Sequence, residues 1–372
     1  MAARAATEFS GARPQQPGGS YKRCVDNLPL ESGEPTQLMK ESMIRRFYSR
    51  SVVTGEITLP AVPSLIDEYV KMCDSLFATV GREFNDEELA HLRKVLDGQL
   101  AMAYSTSPRS TIVISYNAPV GHTLHYHVNP RWWTVSNAYE DWISTREAPL
   151  FGTEPDARVW ALATEAADPT THWVLEIGAG TGRNALALAR RGHPVDVVEM
   201  TPKFADMIRA DAEKESLNIR VIVRDVFTTM DDLRQDYQLI VLSEVVSDFQ
   251  TTQQLRGLFE LAAHCLARGA RLVFNIFLAR GGYTPEAATR EFGQQVYTSI
   301  FTRHEMSAAT AGLPLELVAD DSVYDYEKTH LPAASWPPTS WYANWVSGLD
   351  VFPVERNMSP IEMRWLVFQK TR

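Results

Sequence analysis

Residues 174–182 constrain this chain more than any other stretch. They read Val174-Leu175-Glu176-Ile177-Gly178-Ala179-Gly180-Thr181-Gly182. An apolar run of strand length passes through glycine at every second position and continues into a helical pattern from Asn184. Glycine lets the main chain turn tightly and leaves backbone N–H groups open to a ligand. A Gly-rich turn after a first strand marks the nucleotide-binding edge of an open α/β sheet. A dinucleotide fingerprint would require glycine at position 183, which is Arg183, so the spacing is G-x-G-x-G rather than G-x-G-x-x-G.

The surrounding sequence alternates. Short apolar runs at Val195–Glu199, Arg220–Val223, Gln238–Leu242 and Arg271–Phe277 are separated by helical patterns over 184–191 and 203–215. That texture predicts a mostly parallel sheet with helices on both faces. Strands are also predicted near Leu315–Val318 and Met363–Gln369, enclosing a long segment with five prolines. Residues 324–360 are expected to cover the mouth of a site, since so long a connection is no tight hairpin.

The first part of the chain has a different pattern. Ile66, Tyr69, Val70, Cys73, Leu76, Phe77 and Val80 recur at helical spacing and Gly81 is a stop. Asn85 with Glu88 forms a capping pair ahead of the stripe Leu89, Leu92, Leu96 and Leu100. Thr111–Tyr116 and His122–Val128 read as a hairpin, and a further helix starts near Thr153, with Pro155 early and Asp156 as its cap. These patterns divide the chain into a loose tail (1–20), an N-terminal helical and hairpin domain on the substrate side (21–150), and a cofactor domain (151–372).

Composition excludes several classes. With 36 Lys+Arg against 46 Asp+Glu the formal charge is −10, which argues against a nucleic-acid partner. No run of about 18 uncharged apolar residues predicts a membrane span. The first twenty residues lack the apolar block of a signal peptide. Cys24, Cys73 and Cys265 are too few and too scattered for a disulfide framework or a zinc cluster. A cytoplasmic protein is expected; homodimerisation is left open.

Two acids stand in register with the glycine loop. Glu199 ends the second predicted strand, where a carboxylate can accept both hydroxyls of a ribose. Asp225 ends the third, where a side chain can meet an adenine amino group. Over residues 151–372 the combination resembles the class I S-adenosylmethionine-dependent methyltransferases. The resemblance implies S-adenosyl-L-methionine as cofactor and a Rossmann-like α/β fold with a seven-stranded sheet, in which Met363–Gln369 supplies the antiparallel last strand. It implies that Glu176, Gly178 and Gly180 line the methionine end, that Glu199 holds the ribose, and that Asp225 with Val226 borders the adenine. Ala179, Gly182, Met200 and Ser243 complete the expected cofactor-binding set. An NAD-dependent oxidoreductase and a non-catalytic S-adenosylmethionine-binding protein are the alternatives.

After the fourth predicted strand, families that methylate nucleobases or amides carry an acid or Asn followed by Pro-Pro and an aromatic residue. Here the segment is Ser243-Glu244-Val245-Val246-Ser247-Asp248-Phe249. Glu244 and Asp248 are candidates to contact a substrate or hold a base; Ser247 or Asp248 could equally cap a helix. No tryptophan falls between residues 174 and 335, whereas five lie before and four after. That distribution suggests aromatic walls for a small aromatic substrate. In His122-Thr123-Leu124-His125-Tyr126-His127, strand alternation puts His125 and His127 on the face opposite Leu124 and Val128. Histidine accepts a proton near neutral pH, so His125 and His127 are candidate bases, with Tyr126 the weaker one. No cysteine or carboxylate pair accompanies them, and no metal is expected. The stretch Thr123–Val128 and the run from Pro149 to Ala163 resemble a bacterial subgroup with an N-terminal helical and hairpin domain. Members of that layout include indole C3 methyltransferases of secondary metabolism, which convert tryptophan-containing cyclic dipeptides into pyrroloindolines. An N- or O-methyltransferase acting on another small molecule is the other reading of the same pattern.

Overall fold

The computed structural model describes residues 34–50, 52–118 and 124–372. The expected tail over 1–20, the start of the N-terminal domain to residue 33, and His122 lie outside the described residues. The first unit comprises α1 (Glu34–Arg50), β1 (Val53–Pro60), α2 (Ile66–Thr79), α3 (Asp86–Thr106), β2 (Thr111–Ala118) and β3 (His125–Arg131). Its strands form an antiparallel sheet in the order β1-β2-β3, with Ile57 opposite Ile114 and Ile114 opposite Val128. The hairpin is thus joined by a third strand. As its spacing predicts, α3 opens on a capping box: the Asn85 side chain accepts from Glu88 N–H at 2.9 Å, and Glu88 accepts from Asn85 N–H at 2.9 Å. Cys73 and Phe77 of α2 and Leu92, Leu96 and Leu100 of α3 bury against Ile112, Ile114 and Val128, a core separate from that of the main sheet.

Two helices, α4 (Val135–Thr145) and α5 (Ala157–Thr164), lead into the main sheet. There follow β4 (Val174–Ile177), α6 (Arg183–Arg190), β5 (Val195–Val198), α7 (Pro202–Glu215), β6 (Ile219–Ile222), β7 (Tyr237–Leu242), α8 (Thr252–Cys265) and β8 (Leu266–Ala279). The chain continues through α9 (Ala287–Gln295), β9 (Ile300–Phe301), α10 (Arg303–Thr310), β10 (Leu315–Ser322), α11 (Val323–His330), α12 (Tyr342–Trp345) and β11 (Ile361–Lys370). The order is β6-β5-β4-β7-β8-β11-β10, parallel except for β11, which runs antiparallel to β8 and β10. This is the expected Rossmann-like arrangement of seven strands; the two-residue β9, paired with β8, makes eight. All four residues of β4 are buried because both faces of a parallel sheet are covered by helices. One face packs Phe259 of α8 against Phe274 and Phe368; the other packs α5, α6 and α12 around Trp345 and Trp365. The strand order reverses at β4, between β5 and β7, and such a switch point opens a crevice at the carboxyl ends of the strands.

The start of α5 departs from expectation. Asp156 occupies the cap position but makes no side-chain cap bond. It accepts instead from Asn184 Nδ2 at 2.9 Å and pairs with Arg183 at 2.7 Å. The first N–H groups of α5 go to Glu327 of α11: Ala157 N–H donates at 2.8 Å and Arg158 N–H at 3.2 Å. The same fully buried carboxyl accepts from Trp365 Nε1 at 2.9 Å, so one side chain joins α5, α11 and β11. A negative group suits a helix N-terminus. Glu327→Ala would leave three buried donors without an acceptor and is expected to cost about 2–4 kcal/mol. Urea denaturation checks this; a cost below about 1 kcal/mol would mean that water replaces the carboxyl.

Candidate functional site

At the carboxyl ends of β4, β5 and β7 lies a cavity of about 500 Å3, within the range of small-molecule sites. Its floor is the glycine loop. Gly178, Gly180 and Gly182 have φ of 66°, 55° and 83°, the left-handed region that side chains resist. A Cβ on Gly178 would stand 2.5 Å from Val245 Cγ2. The loop is tied to β5 by Glu199, whose buried carboxyl accepts from Gly180 N–H at 2.9 Å and from Thr201 N–H at 2.8 Å. Burial pushes the Glu199 pKa up, against the pull of those N–H donors. Asp225 lines the cavity beside Val226 while also accepting from Phe227 N–H at 3.0 Å.

Three polar atoms on this side are buried without a hydrogen-bond partner among the described residues: Glu176 Oε2, Thr201 Oγ1 and Ser243 Oγ. Glu176 is only 2% exposed, its Oε1 accepts from Asn184 Nδ2 at 3.1 Å, and burial pushes its carboxyl up to about 8. An acceptor of this kind suits an ammonium, and the two hydroxyls suit a polar ligand. The donor set therefore fits the amino-acid end and ribose of S-adenosylmethionine. Of the expected cofactor residues, Glu176, Gly178, Ala179, Gly180, Glu199, Met200, Asp225, Val226 and Ser243 all border the cavity. Gly182 does not; it starts α6 and packs toward Ile208 and Leu186.

The opposite wall is aromatic. Helix α4, opened by a capping box of Thr134 and Asn137, turns Val135, Tyr139, Trp142 and the adjoining Arg146 toward the cavity. Trp142 stands 5.0 Å from Tyr297 and 6.2 Å from Trp341 between ring centroids, and Phe151 stands 5.8 Å from Phe204. Asp248, after β7, reaches the same space. It accepts from Tyr139 Oη–H at 2.9 Å and from Arg109 Nη2 at 2.7 Å, the latter as a largely buried ion pair. Arg109 comes from the turn between α3 and β2, donates also to the Gln294 carbonyl, and lies 3.6 Å from the centroid of Tyr297. Burial and the nearby Asp248 hold Tyr139 well above the ordinary phenol range, so it remains a donor. Glu244 borders the cavity from a left-handed backbone (φ 62°). Its N–H donates to Asn275 Oδ1 at 2.7 Å, its carboxyl meets Arg183 Nη2 at 3.1 Å, and burial pushes it up to about 7.

The five catalytic candidates are thus separated. Glu244 and Asp248 border the cavity; His125, Tyr126 and His127 do not. His125 and His127 are exposed on β3, opposite the buried Leu124 and Val128, while Tyr126 packs toward Phe77 and Phe84 inside the N-terminal core. Alternation assigns the two faces of β3 correctly, but neither face is turned to the glycine loop. The paired change His125→Ala/His127→Ala is expected to leave turnover within about threefold of the parent, as for ordinary surface substitutions. A loss of about 100-fold would restore the histidines as bases. Neither Ser247 nor Asp248 caps α8, whose cap is Thr251. Of residues 324–360, Trp341, Trp345 and Asp350 reach the cavity, while Glu327 on α11 packs into the opposite side at α5. Arg109, Tyr139 and Tyr297 escaped the sequence reading; the spacing of Val135, Tyr139 and Trp142 was a signal for the second. Among the described residues, no group of three or more His, Cys, Asp or Glu is placed to hold a metal, and no helix is long and apolar enough to cross a membrane.

Residues 174–269 match the methyltransferase domain family. Among solved structures, geranyl diphosphate C-methyltransferase from Streptomyces coelicolor A3(2) is 15% identical, with 57% of this chain and 77% of that one covered and a TM-score of 0.45. The StiE O-MT structure is 18% identical over 58% of this chain and 74% of that one, with a TM-score of 0.40. The [4+2]-cyclase SpnF is 12% identical over 58% and 80%, with a TM-score of 0.41. A comparison with curated proteins returns no significant match. The glycine loop and the strands that frame the cavity thus lie within residues that match a methyltransferase domain, and the side chains there fit S-adenosylmethionine as the methyl donor.

Proposed function

We propose that this chain transfers a methyl group from S-adenosylmethionine to a small aromatic acceptor whose N–H or O–H is turned toward Asp248. One observation carries the reading: a carboxylate held by Arg109 and Tyr139 stands in an aromatic chamber that opens on the glycine loop. The cofactor supplies the activated methyl, so the protein has to align the acceptor, exclude water and receive a proton. The rings of Trp142, Phe151 and Tyr297 offer flat apolar walls to a planar acceptor. Each Asp248 oxygen has one donor in place and a lone pair to spare, enough to accept from the acceptor. Tyr139, kept protonated by burial, holds that carboxylate in position rather than competing for the proton.

An indole meets both requirements. Its N–H donates to the carboxylate while C3 attacks, and loss of that proton relieves the positive charge that methylation builds in the ring. The test is mass spectrometry for a gain of one CH2 after incubation with S-adenosylmethionine and three acceptor sets: indoles including tryptophan-containing cyclic dipeptides, phenols, and aliphatic amines. Methylation is expected among the aromatic sets. Turnover of aliphatic amines alone, or of nothing, would overturn the reading.

A further inference from the structure

Behind the glycine loop, carboxyls outnumber cations. Asp156, Glu176 and Glu327 are buried, and Glu244 nearly so, around a single guanidinium, that of Arg183. Arg183 reaches Asp156 at 2.7 Å and Glu244 at 3.1 Å. Asn184 Nδ2 bridges Asp156 at 2.9 Å and Glu176 at 3.1 Å. From the far side, α11 brings Glu327, committed to the N-terminus of α5, and α12 brings the Tyr342 hydroxyl, buried without a partner among the described residues. The next cation along, Arg158, turns away to Asp321 at 2.9 Å. Four buried carboxyls cannot all be charged beside one guanidinium, because each unpaired charge away from water is heavily penalised. Glu176 has the weakest support: no cation is paired with it, its carboxyl is held by the Asn184 amide and the Ala185 backbone, Oε2 has no partner among the described residues, and the side chain borders the cavity.

We propose that the free protein carries a proton on this cluster, chiefly on Glu176, and releases it when the ammonium of the cofactor's methionine moiety settles beside Glu176. This rests on the reading of Glu176 as the methionine end of the site. The step balances: the O–H bond of the Glu176 carboxyl breaks, the proton passes to solvent, and an ammonium N–H donates to the resulting carboxylate. Burial pushes the Glu176 carboxyl up to about 8 and those of Glu244 and Glu327 up to about 7, in keeping with a cluster protonated near neutrality. The sign follows. Below about pH 8 binding must expel the proton, so affinity rises with pH, by up to about tenfold per unit, and levels off above it.

The experiment is calorimetric titration of the full-length protein with S-adenosylhomocysteine at pH 7, in phosphate and in Tris, whose ionisation enthalpies differ. Close to one proton released per ligand is expected, falling toward none at pH 8.5 and above. In Glu176→Gln the buffer dependence should vanish while weaker binding remains. Should that variant not bind, Glu244→Gln is the second arm: it relieves the crowding, and fewer protons should be released at pH 7.5 than in the parent. Binding with the same enthalpy in both buffers overturns the proton coupling and leaves the cofactor assignment standing. Persistence of the buffer dependence in Glu176→Gln, or unchanged release in Glu244→Gln, overturns the assignment of the proton to this cluster. Failure of the parent protein to bind S-adenosylhomocysteine overturns the cofactor reading itself.

Discussion

Gly178→Val should abolish binding of S-adenosylhomocysteine, with affinity falling beyond about 100-fold. Two penalties coincide at this position. The backbone has φ of 66°, where a β-branched residue is a genuine outlier. Its Cβ would also stand 2.5 Å from Val245 Cγ2, so the glycine loop and the segment after β7 could not keep their present spacing. Gly178 N–H donates to the Val198 carbonyl at 2.7 Å, and displacement of the turn would carry that bond and the nearby Gly180–Glu199 contact with it. Because the loop lies at the end of a fully buried strand, circular dichroism should accompany the calorimetry. Parental affinity in a folded Gly178→Val protein would show that the ligand does not sit on this loop.

The second large effect belongs to Asp248. Asp248→Asn should lower turnover of the aromatic acceptor by about 10²–10⁴-fold, the usual worth of a positioned acid or base, while affinity for S-adenosylhomocysteine stays within about threefold. The substitution keeps the shape but offers Arg109 an uncharged partner and the acceptor a poorer base. Arg109→Lys should be milder than Arg109→Ala, since an ammonium restores the charge but not the stacking of a planar guanidinium on Tyr297. Near-parental turnover in Asp248→Asn would move the search to Glu244, the other candidate base that borders the chamber.

The sheet was legible because a parallel core writes itself as separate apolar runs: Val174–Ile177, the start of the run at Val195 and the antiparallel last strand all fall where the pattern predicts. Glu199 and Asp225 border the cavity because each follows a strand, β5 or β6, that leaves the same edge of the sheet. The chamber was not legible, because it is assembled from segments far apart in sequence. Arg109 meets Asp248 across 139 residues, a pairing that no local spacing encodes. His125, Tyr126 and His127 form a dense local cluster, yet β3 pairs within its own small sheet and none of the three borders the cavity. Strand β1 alternates Val53, Gly55, Ile57 and Leu59 with Thr54, Glu56 and Thr58, a readable period of two interrupted by a glycine. Asp156 looked like a cap by position, but its side chain is drawn to Arg183 and Asn184, leaving the helix end to a glutamate 170 residues away.

The reach of Arg109 to Asp248, at the edge of the chamber, bears on how such a protein can be recombined. A crossover anywhere between residues 110 and 133 would give the cofactor half, with α4 kept, a foreign partner at Asp248, however well each half folded. Chimeras built there should keep their affinity for S-adenosylhomocysteine and differ in acceptor choice, unless the incoming half also presents a guanidinium at that turn. Acceptor preference would then be inherited through a single interlocking ion pair, and libraries that fix Arg109 and Asp248 together while varying the face of α4 would explore acceptors without breaking the joint.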